Sequence, residues 1–200
     1  MKKVILILLT GLVQLAAQAQ DMREVFIDMP DSLQALLTRN NRMDMLDFLD
    51  SKMEAKVTNR LEGQSVMDTL TADYLKITLT RNTVLEMKLI ERGEEKVVAV
   101  LHTTAGPVKD SFLQFYTAGW KEAENLMEMP TFSAFEQKDR KELTEEQIQL
   151  LEALADMQLT EMRLSPDDRI LRCQLSLDIL TKEDREKAAG LVRPVEVELK

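Results

Sequence analysis

Cysteine and histidine are almost absent from this chain. Its 200 residues contain one of each, Cys173 and His102. A single cysteine cannot form an internal disulfide, and one cysteine with one histidine cannot supply the nitrogen and sulfur ligands of a usual zinc site. The fold must therefore be held together by its core alone.

Glycines and aromatic residues are also scarce. The six glycines occur singly, so no glycine-rich loop that would bind phosphate is present. No G-x-S-x-G nucleophile motif occurs either. Aromatic residues make up 4% of the chain, which disfavours a glycosidase or lectin, since sugar sites are usually lined with aromatic rings. The sequence thus predicts no cofactor and no metal site.

Basic residues are outnumbered by acidic ones. The chain has 26 Lys and Arg against 35 Asp and Glu, a formal net charge of −9. Nucleic acids bind to basic surfaces, so this balance argues against a nucleic-acid partner. It equally argues against docking on anionic lipid.

The first 19 residues are typical of a secretory signal peptide. Lys2 and Lys3 precede an apolar run over residues 4–9, and Ala17 and Ala19 form a small-x-small cleavage site. The run is shorter than the ~20 residues of a spanning helix. We expect cleavage after Ala19, which removes two lysines and no acid and takes the net charge from −9 to −11. Because no cysteine lies near the cut, we expect a periplasmic or outer-envelope protein that is not lipid-anchored and has no membrane span after cleavage.

Residues 20–200 fit a single α+β domain. A capping acid and Pro30 predict a helix from about Asp28, which Asn40 and Asn41 break or bend before a second helical stripe. From about residue 55 to 117 apolar residues alternate with polar ones, with turns at residues 81–82, 91–94 and 105–107. This pattern predicts an antiparallel meander with one buried face.

The C-terminal part returns to a helix and further strands. Thr144 begins a capping box, strands follow over residues 157–164 and 169–180, and a final strand begins at Pro194. The order of helix and hairpin indicates a degenerate α-β repeat of about 28–118 and 139–200. Two amphipathic hairpins of unrelated origin would give the same pattern, so both interpretations stay open.

Few residues invite a chemical role. Cys173 alternates with Leu171 and Leu175, which predicts a buried core thiol rather than a nucleophile. Asp44, Asp47 and Asp50 follow one helix face, where carboxylates splay outward instead of converging on calcium.

His102 is the one candidate for acid–base catalysis. It lies just before the turn at residues 105–107, and Asp110 and Ser111 across that turn are the nearest orienting carboxylate and nucleophile. This arrangement would give a hydrolase. The alternative is a histidine at the end of a strand with a purely structural role, which we favour.

A set of sequence blocks runs from Met29-Pro30-Asp31-Ser32-Leu33 through Leu70-Thr71-Ala72-Asp73-Tyr74 to Phe115-Tyr116-Thr117-Ala118-Gly119-Trp120. These blocks resemble an uncharacterised family classed as a domain of unknown function, whose members are small exported proteins from Gram-negative gut anaerobes. The resemblance implies a cysteine pair flanking the Gly106–Pro107 turn, where this chain has Ala105 and Lys109. It implies no activity and no site residues.

These observations favour a non-enzymatic exported protein that binds an unknown protein or small ligand in the cell envelope. The predicted binding surface is the irregular segment containing Trp120, Phe132 and Phe135, since exposed aromatic side chains often anchor partners. The alternative is that these rings close the core. Two rival functions stay open: a hydrolase centred on His102, and a structural or assembly subunit that pairs through an exposed edge strand near Val195–Leu199.

Overall fold

The computed structural model describes residues 21–93 and 95–200, so the predicted signal peptide and its cleavage site lie outside the described residues. The order of elements confirms the predicted α+β class, with N-terminal helices, an antiparallel meander, and then further helices and strands. The helices are α1 (Met22–Asp28), α2 (Arg39–Asp50), α3 (Phe132–Phe135), α4 (Glu145–Met157) and α5 (Lys182–Ala189).

The strands form two antiparallel sheets. A six-stranded sheet has the order β1-β2-β3-β4-β5-β6, and a three-stranded sheet has the order β7-β8-β9. The strands of the first are β1 (Lys56–Thr58), β2 (Gln64–Leu70), β3 (Tyr74–Thr80), β4 (Thr83–Arg92), β5 (Glu95–Ala105) and β6 (Lys109–Thr117). Those of the second are β7 (Thr160–Arg163), β8 (Ile170–Leu175) and β9 (Val195–Glu198).

Both faces of the six-stranded sheet are covered, whereas the alternation predicted one buried face. Leu85 and Met87 of β4 face the core beneath α1 and α2. Ile90 of the same strand faces a second core shared with the three-stranded sheet. Even Glu86 and Lys88, expected on a solvated face, are buried, because the C-terminal half of the chain packs over them. Alternation shows which residues share a face of the sheet, but it cannot reveal which face a later segment covers.

The predicted first helix is wrong. Helix α1 lies upstream of it, capped by Asp21, whose side chain accepts from Glu24 N at 3.1 Å. Residues 31–37 form successive turns instead. Arg42 makes this compact non-helical path stable: its guanidinium donates to Met29 O at 2.6 Å and Leu37 O at 2.7 Å.

Helix α2 also differs from the predicted stripe. Thr38 caps it, and Asn41 completes the capping box, so the asparagine pair begins the helix instead of breaking it. Met43 and Met53, predicted on the apolar face, are 39% and 58% exposed, whereas Arg42 and Met45 are buried.

The helix caps in the C-terminal half were predicted correctly. Thr144 and Gln147 form the predicted capping box of α4, and Thr181 caps α5. Helix α4 extends to Met157, where a strand was expected, and β8 gives way after Leu175 to a 3₁₀ turn over Leu177–Ile179.

The predicted repeat and the single-domain assignment stay predictions. Each half contains helix followed by hairpin, but the halves contribute six strands and three strands respectively. Contacts do cross between them, since β6 packs beside β7. Within the described ranges no helix is long and apolar enough to cross a bilayer.

Candidate functional site

The two outer strands of the three-stranded sheet differ in whether their outward-facing backbone groups are hydrogen-bonded. On β7, the outward backbone N–H of Thr160 donates to Asp110 Oδ1 at 3.2 Å, and that of Met162 donates to Ser111 Oγ at 2.9 Å. Nearby, the Ser176 hydroxyl donates to the Lys109 carbonyl. Side chains of β6 therefore satisfy the β7 edge and join the two sheets.

Among the described residues, none covers the β9 edge in this way. Leu199 N donates to Arg169 O, and the register pairs Val197 with Leu171 and Glu196 with Arg172. Because antiparallel pairs alternate between bonded and non-bonded positions, the backbone groups of Val195 and Val197 point toward β8. Those of Glu196 and Glu198 therefore point away from the sheet.

A groove runs along this outward edge. It encloses about 950 Å³ between β9 and the segment at residues 125–129. The two walls meet at one end, where Lys200 N donates to Leu126 O at 3.3 Å. Within the described part of the chain, the outward backbone groups of Glu196 and Glu198 make no hydrogen bond. We call this the β9 groove.

The β9 groove combines apolar walls with an acidic rim. Its apolar lining comes from Leu126, Met127, Met129 and Val197, and its acidic lining from Glu128, Glu196 and Glu198. Among the described lining residues the only cationic side chain is that of Lys200. Glu196 lies 3.4 Å from Arg172 Nε, whereas in the described structure Glu198 has no ion-pair partner. The groove therefore carries an excess of negative charge.

Glu161 organises the outer face of the three-stranded sheet. Its carboxylate accepts from Lys109 Nζ at 3.0 Å, Arg163 Nη2 at 2.7 Å and Gln174 Nε2 at 2.7 Å. Burial by itself would raise the pKa of Glu161, but these hydrogen bonds outweigh it and hold the pKa below its usual value. The carboxylate is thus an ionised link between β6, β7 and β8.

Two shallow cavities flank this carboxylate. They measure about 460 and 360 Å³ and share Glu161, Gln174 and Pro194 in their walls. Each cation in the larger cavity already has an acidic partner: Arg163 pairs with Glu161, and Arg172 pairs with Asp168 at 2.6 Å. This pairing leaves neither guanidinium of the larger cavity free to bind an anion. The smaller cavity contains Arg193, whose Nε donates to Ala134 O at 3.2 Å.

Buried polar residues of β4 hold the β7–β8 turn in place. Lys88 Nζ donates to Pro166 O at 3.0 Å and lies 2.9 Å from Asp73 Oδ2. Glu86 accepts a 2.6 Å hydrogen bond from the Tyr74 hydroxyl, and burial raises the pKa of its carboxyl. These contacts help to fix the position of the turn between β7 and β8.

The structure does not bring together the residues that the alternative hydrolase interpretation requires around His102. Its Cα pairs with those of Leu85 and Phe112 in the neighbouring strands, and burial lowers its pKa. Ser111 instead bonds to Thr103 Oγ1 at 2.8 Å as well as to β7. Among the described residues the imidazole has no hydrogen-bond or ion-pair partner. The catalytic arrangement that a hydrolase would require of His102, Asp110 and Ser111 is therefore not formed, because Asp110 and Ser111 accept hydrogen bonds from the β7 backbone.

The three aromatic residues predicted to form one surface pack in different places. Phe135 is fully buried in the second core, so its ring is not available to a partner. Phe132 is half-buried against the same core. Trp120 is half-buried against the first core and donates from Nε1 to Val25 O at 3.0 Å. A binding role for Trp120 and Phe132 stays a prediction.

Cys173 and the acidic row lie where the sequence predicted. Cys173 is 1% exposed beside Leu171 and Leu175, and burial raises the pKa of its thiol to about 11. Asp44, Asp47 and Asp50 are exposed along α2, and Asp50 pairs with Arg23 at 2.6 Å. These residues point to a structural thiol and a solvated helix face.

The sequence offered an exposed edge strand near Val195–Leu199, but it did not predict the buried hydrogen-bond centres at Glu161 and Arg42. The alternation of Val195, Val197 and Leu199 predicted a strand with one apolar face. The spacing of Glu161 and Arg163, two residues apart on one strand face, was a signal for the carboxylate network. No local signal marked Arg42, because its partners lie in turns upstream.

Comparison with known proteins places the chain without assigning it an activity. A family model described as "Protein of unknown function (DUF3256)" matches residues 14–197, which confirms the resemblance to a family of unknown function. No curated protein matches. A solved structure of a domain of an uncharacterized protein from Porphyromonas gingivalis W83 has a similar fold, with a TM-score of 0.75 and 20% identity over 89% of this chain and 93% of that one. At this identity the likeness shows the fold alone.

Proposed function

The chain belongs to this family of unknown function, and from that premise we propose that it is an exported, non-enzymatic interaction protein. In this proposal it binds an extended segment of a partner along the β9 groove. The observation that carries the proposal is the open edge of β9, where the outward backbone groups of Glu196 and Glu198 line a groove without hydrogen bonds to the described residues.

An open strand edge is a binding surface because its donors and acceptors are already in line. An extended peptide that joins such an edge gains main-chain hydrogen bonds, and pockets for alternate side chains make it selective. The two outward residues of β9 offer two N–H donors and two C=O acceptors. A groove of about 950 Å³ lies beside them.

The contrast with β7 supports a binding role for β9. Exposed edges promote unwanted pairing, and natural proteins usually cover, shorten or charge them. Here Asp110 and Ser111 cover β7, while β9 keeps its backbone accessible and is charged by its glutamates. An edge of this kind rejects most strands while staying open to a complementary one.

Export is the part of the proposal that rests on sequence. The lysines, apolar run and alanine site within residues 1–19 support it. We expect the N-terminal residue of the native protein to be Gln20. Intact-mass measurement of protein from its native host tests this, and recovery of the chain with Met1 from the cytosol would contradict export.

Site-specific photocrosslinking in native cells tests binding at the edge. A photoreactive amino acid in place of Glu196 should give a discrete adduct, while the same residue in place of Glu186 on the exposed face of α5 should not. Adding Glu198→Pro, which removes an outward N–H, should abolish the adduct. Absence of an adduct at position 196, or the same adducts at both positions, would overturn the proposal.

A further inference from the structure

Resting on the proposed function, we infer that the segment bound by the β9 groove is an extended peptide in which basic residues alternate with apolar ones. Strand geometry sets the alternation, and the residues around β9 set the chemistry of each face. The proposed partner is thus defined by the pattern of residues in its bound segment.

The basic half of the pattern follows from the glutamates of β9. Glu196 and Glu198 are two residues apart, so their side chains lie on the same, exposed face of the sheet. Directly opposed residues of paired strands interact strongly, and opposite charges there are favourable. Glu128 on the facing wall adds a third carboxylate. Lysine or arginine at alternate positions of the incoming strand would neutralise this face.

The apolar half follows from the other face of the same strand. The side chains of Val195 and Val197 lie on the face of β9 opposite to the glutamates and are half-buried. Val197 lines the groove together with Met127 and Met129, and Met129 is 51% exposed. Apolar residues of the bound strand would cover these side chains, and flexible methionines accommodate varied shapes.

The same charges argue against a second copy of this chain as the occupant. Antiparallel pairing of two β9 strands through their outward edges would bring the Glu196 and Glu198 side chains of both copies onto one seam. Like charges directly opposite each other destabilise a strand pair. The groove therefore favours a partner of opposite charge.

Peptide binding to the purified protein tests the inference. The probes are fluorescein-labelled ten-residue peptides that alternate valine with lysine, threonine or glutamate. A fourth peptide contains the lysines and valines in two blocks, so that it has the same charge without the alternation. Fluorescence anisotropy should show the alternating lysine peptide binding at least about tenfold more tightly than the glutamate peptide. The preference should weaken at high salt, since exposed charges are screened.

Three variants assign the binding to the groove. Glu198→Pro removes an outward N–H and a charge, Glu198→Gln removes only the charge, and Glu186→Lys changes the net charge at a distant helix face. We expect loss of binding in the first, partial weakening in the second and no change in the third beyond a small general effect. Amide protection from hydrogen exchange at Glu196 and Glu198 should rise when the lysine peptide binds.

The outcomes separate the inference from the function on which it rests. If all three alternating peptides bind equally and Glu198→Pro abolishes binding, strand addition stands and the basic pattern is wrong. If the block peptide binds as tightly as the alternating one and Glu198→Pro has no effect, the attraction is a general one to an acidic protein, and the inference is overturned. If no peptide binds at millimolar concentration, the proposed function itself fails.

Discussion

Ser111 Oγ accepts a 2.9 Å hydrogen bond from the backbone N–H of Met162, a residue 51 positions later in the chain. This bond joins β6 of the large sheet to the outer edge of β7. Ser111, which the sequence offered as a possible nucleophile, therefore links the two sheets. Its neighbour Asp110 also links them, by accepting a hydrogen bond from Thr160 N.

Replacing that serine should cost stability. Ser111→Ala leaves the buried Met162 N–H without its acceptor, and we expect the free energy of unfolding to fall by about 1–3 kcal/mol. Urea denaturation measures the change. Ser133→Ala is the matched control, because Ser133 is exposed and among the described residues its hydroxyl bonds only to Thr131. Equal, small effects of both substitutions would contradict the role of Ser111.

Two buried glutamates should make opposite contributions to pH dependence. The pKa of Glu161 is lowered in the folded protein from an ordinary value of 4.5. Its stabilisation is present above that value and is lost as the pH falls through the folded pKa. The pKa of Glu86 is raised by burial. Its contribution is fully present below about 4.5 and is lost as the pH rises through the folded pKa.

Single glutamine variants measure these contributions. Relative to Glu161→Gln, the wild-type protein should gain stability as the pH rises through the folded pKa of Glu161 toward about 4.5. Relative to Glu86→Gln, it should lose stability over a range beginning near pH 4.5. Unfolding curves at several pH values test both signs. Parallel pH profiles for wild type and either variant would show that the corresponding carboxyl is not perturbed.

Proline substitutions should distinguish the two sides of β9. Glu198→Pro removes an N–H that makes no hydrogen bond to the described residues, and we expect a loss of less than about 1 kcal/mol, as at other edge positions. Val197→Pro removes an N–H directed at β8 and should cost at least about 2 kcal/mol. Thermal unfolding compares them, with Val197→Ala as the control for the lost side chain. A larger loss of stability in Glu198→Pro than in Val197→Pro would mean that the Glu198 N–H, and not that of Val197, is directed at β8.

Arg42 should be intolerant of lysine. Its guanidinium, 1% exposed, spans Leu37 O, Met29 O and Asp31 Oδ1, the last at 3.1 Å. An ammonium cannot reach these partners together. We expect Arg42→Lys to lower the free energy of unfolding by about 2–4 kcal/mol. Arg39→Lys on the exposed face of α2 should have almost no effect, and comparable losses in both would refute the assignment.

The Cys173 thiol should react only when the protein unfolds. It is buried, and its pKa is raised to about 11, so the thiolate needed for reaction is rare at neutral pH. We expect labelling by an aromatic disulfide reagent to follow the rate of unfolding. Cys173→Ser with Ser133→Cys gives an exposed thiol that should react at once. Rapid labelling of the wild-type protein under native conditions would contradict burial.

Features that depend on residues close together in the chain could be predicted from the sequence. The capping box at Thr144 and the alternation of β3 to β6 involve residues a few positions apart, and both are present as expected. The buried position of Cys173 likewise followed from its neighbours in one strand. The final strand, with Val195 and Val197 on one face, was likewise predicted from alternation.

Features that depend on distant residues could not be predicted. The turns before α2 take their shape from Arg42, whose partners lie five to fifteen positions upstream. Burial of Glu86 and Lys88 depends on a segment almost 80 positions later. The environment of the β9 groove depends on residues 125–129, which have no periodicity. In each case the contact that determines the structure joins residues that are too far apart in sequence for a local pattern to reveal it.

The bond from Trp120 Nε1 to Val25 O links the end of the large sheet to helix α1 across 95 positions. The chain has one tryptophan, so its intrinsic emission carries a signal from this place alone. A red shift of that emission, with the far-ultraviolet circular dichroism of the strands unchanged, would mark release of α1 from the sheet. The molecule thus contains its own optical sensor for the docking of its N-terminal helix, without any added label.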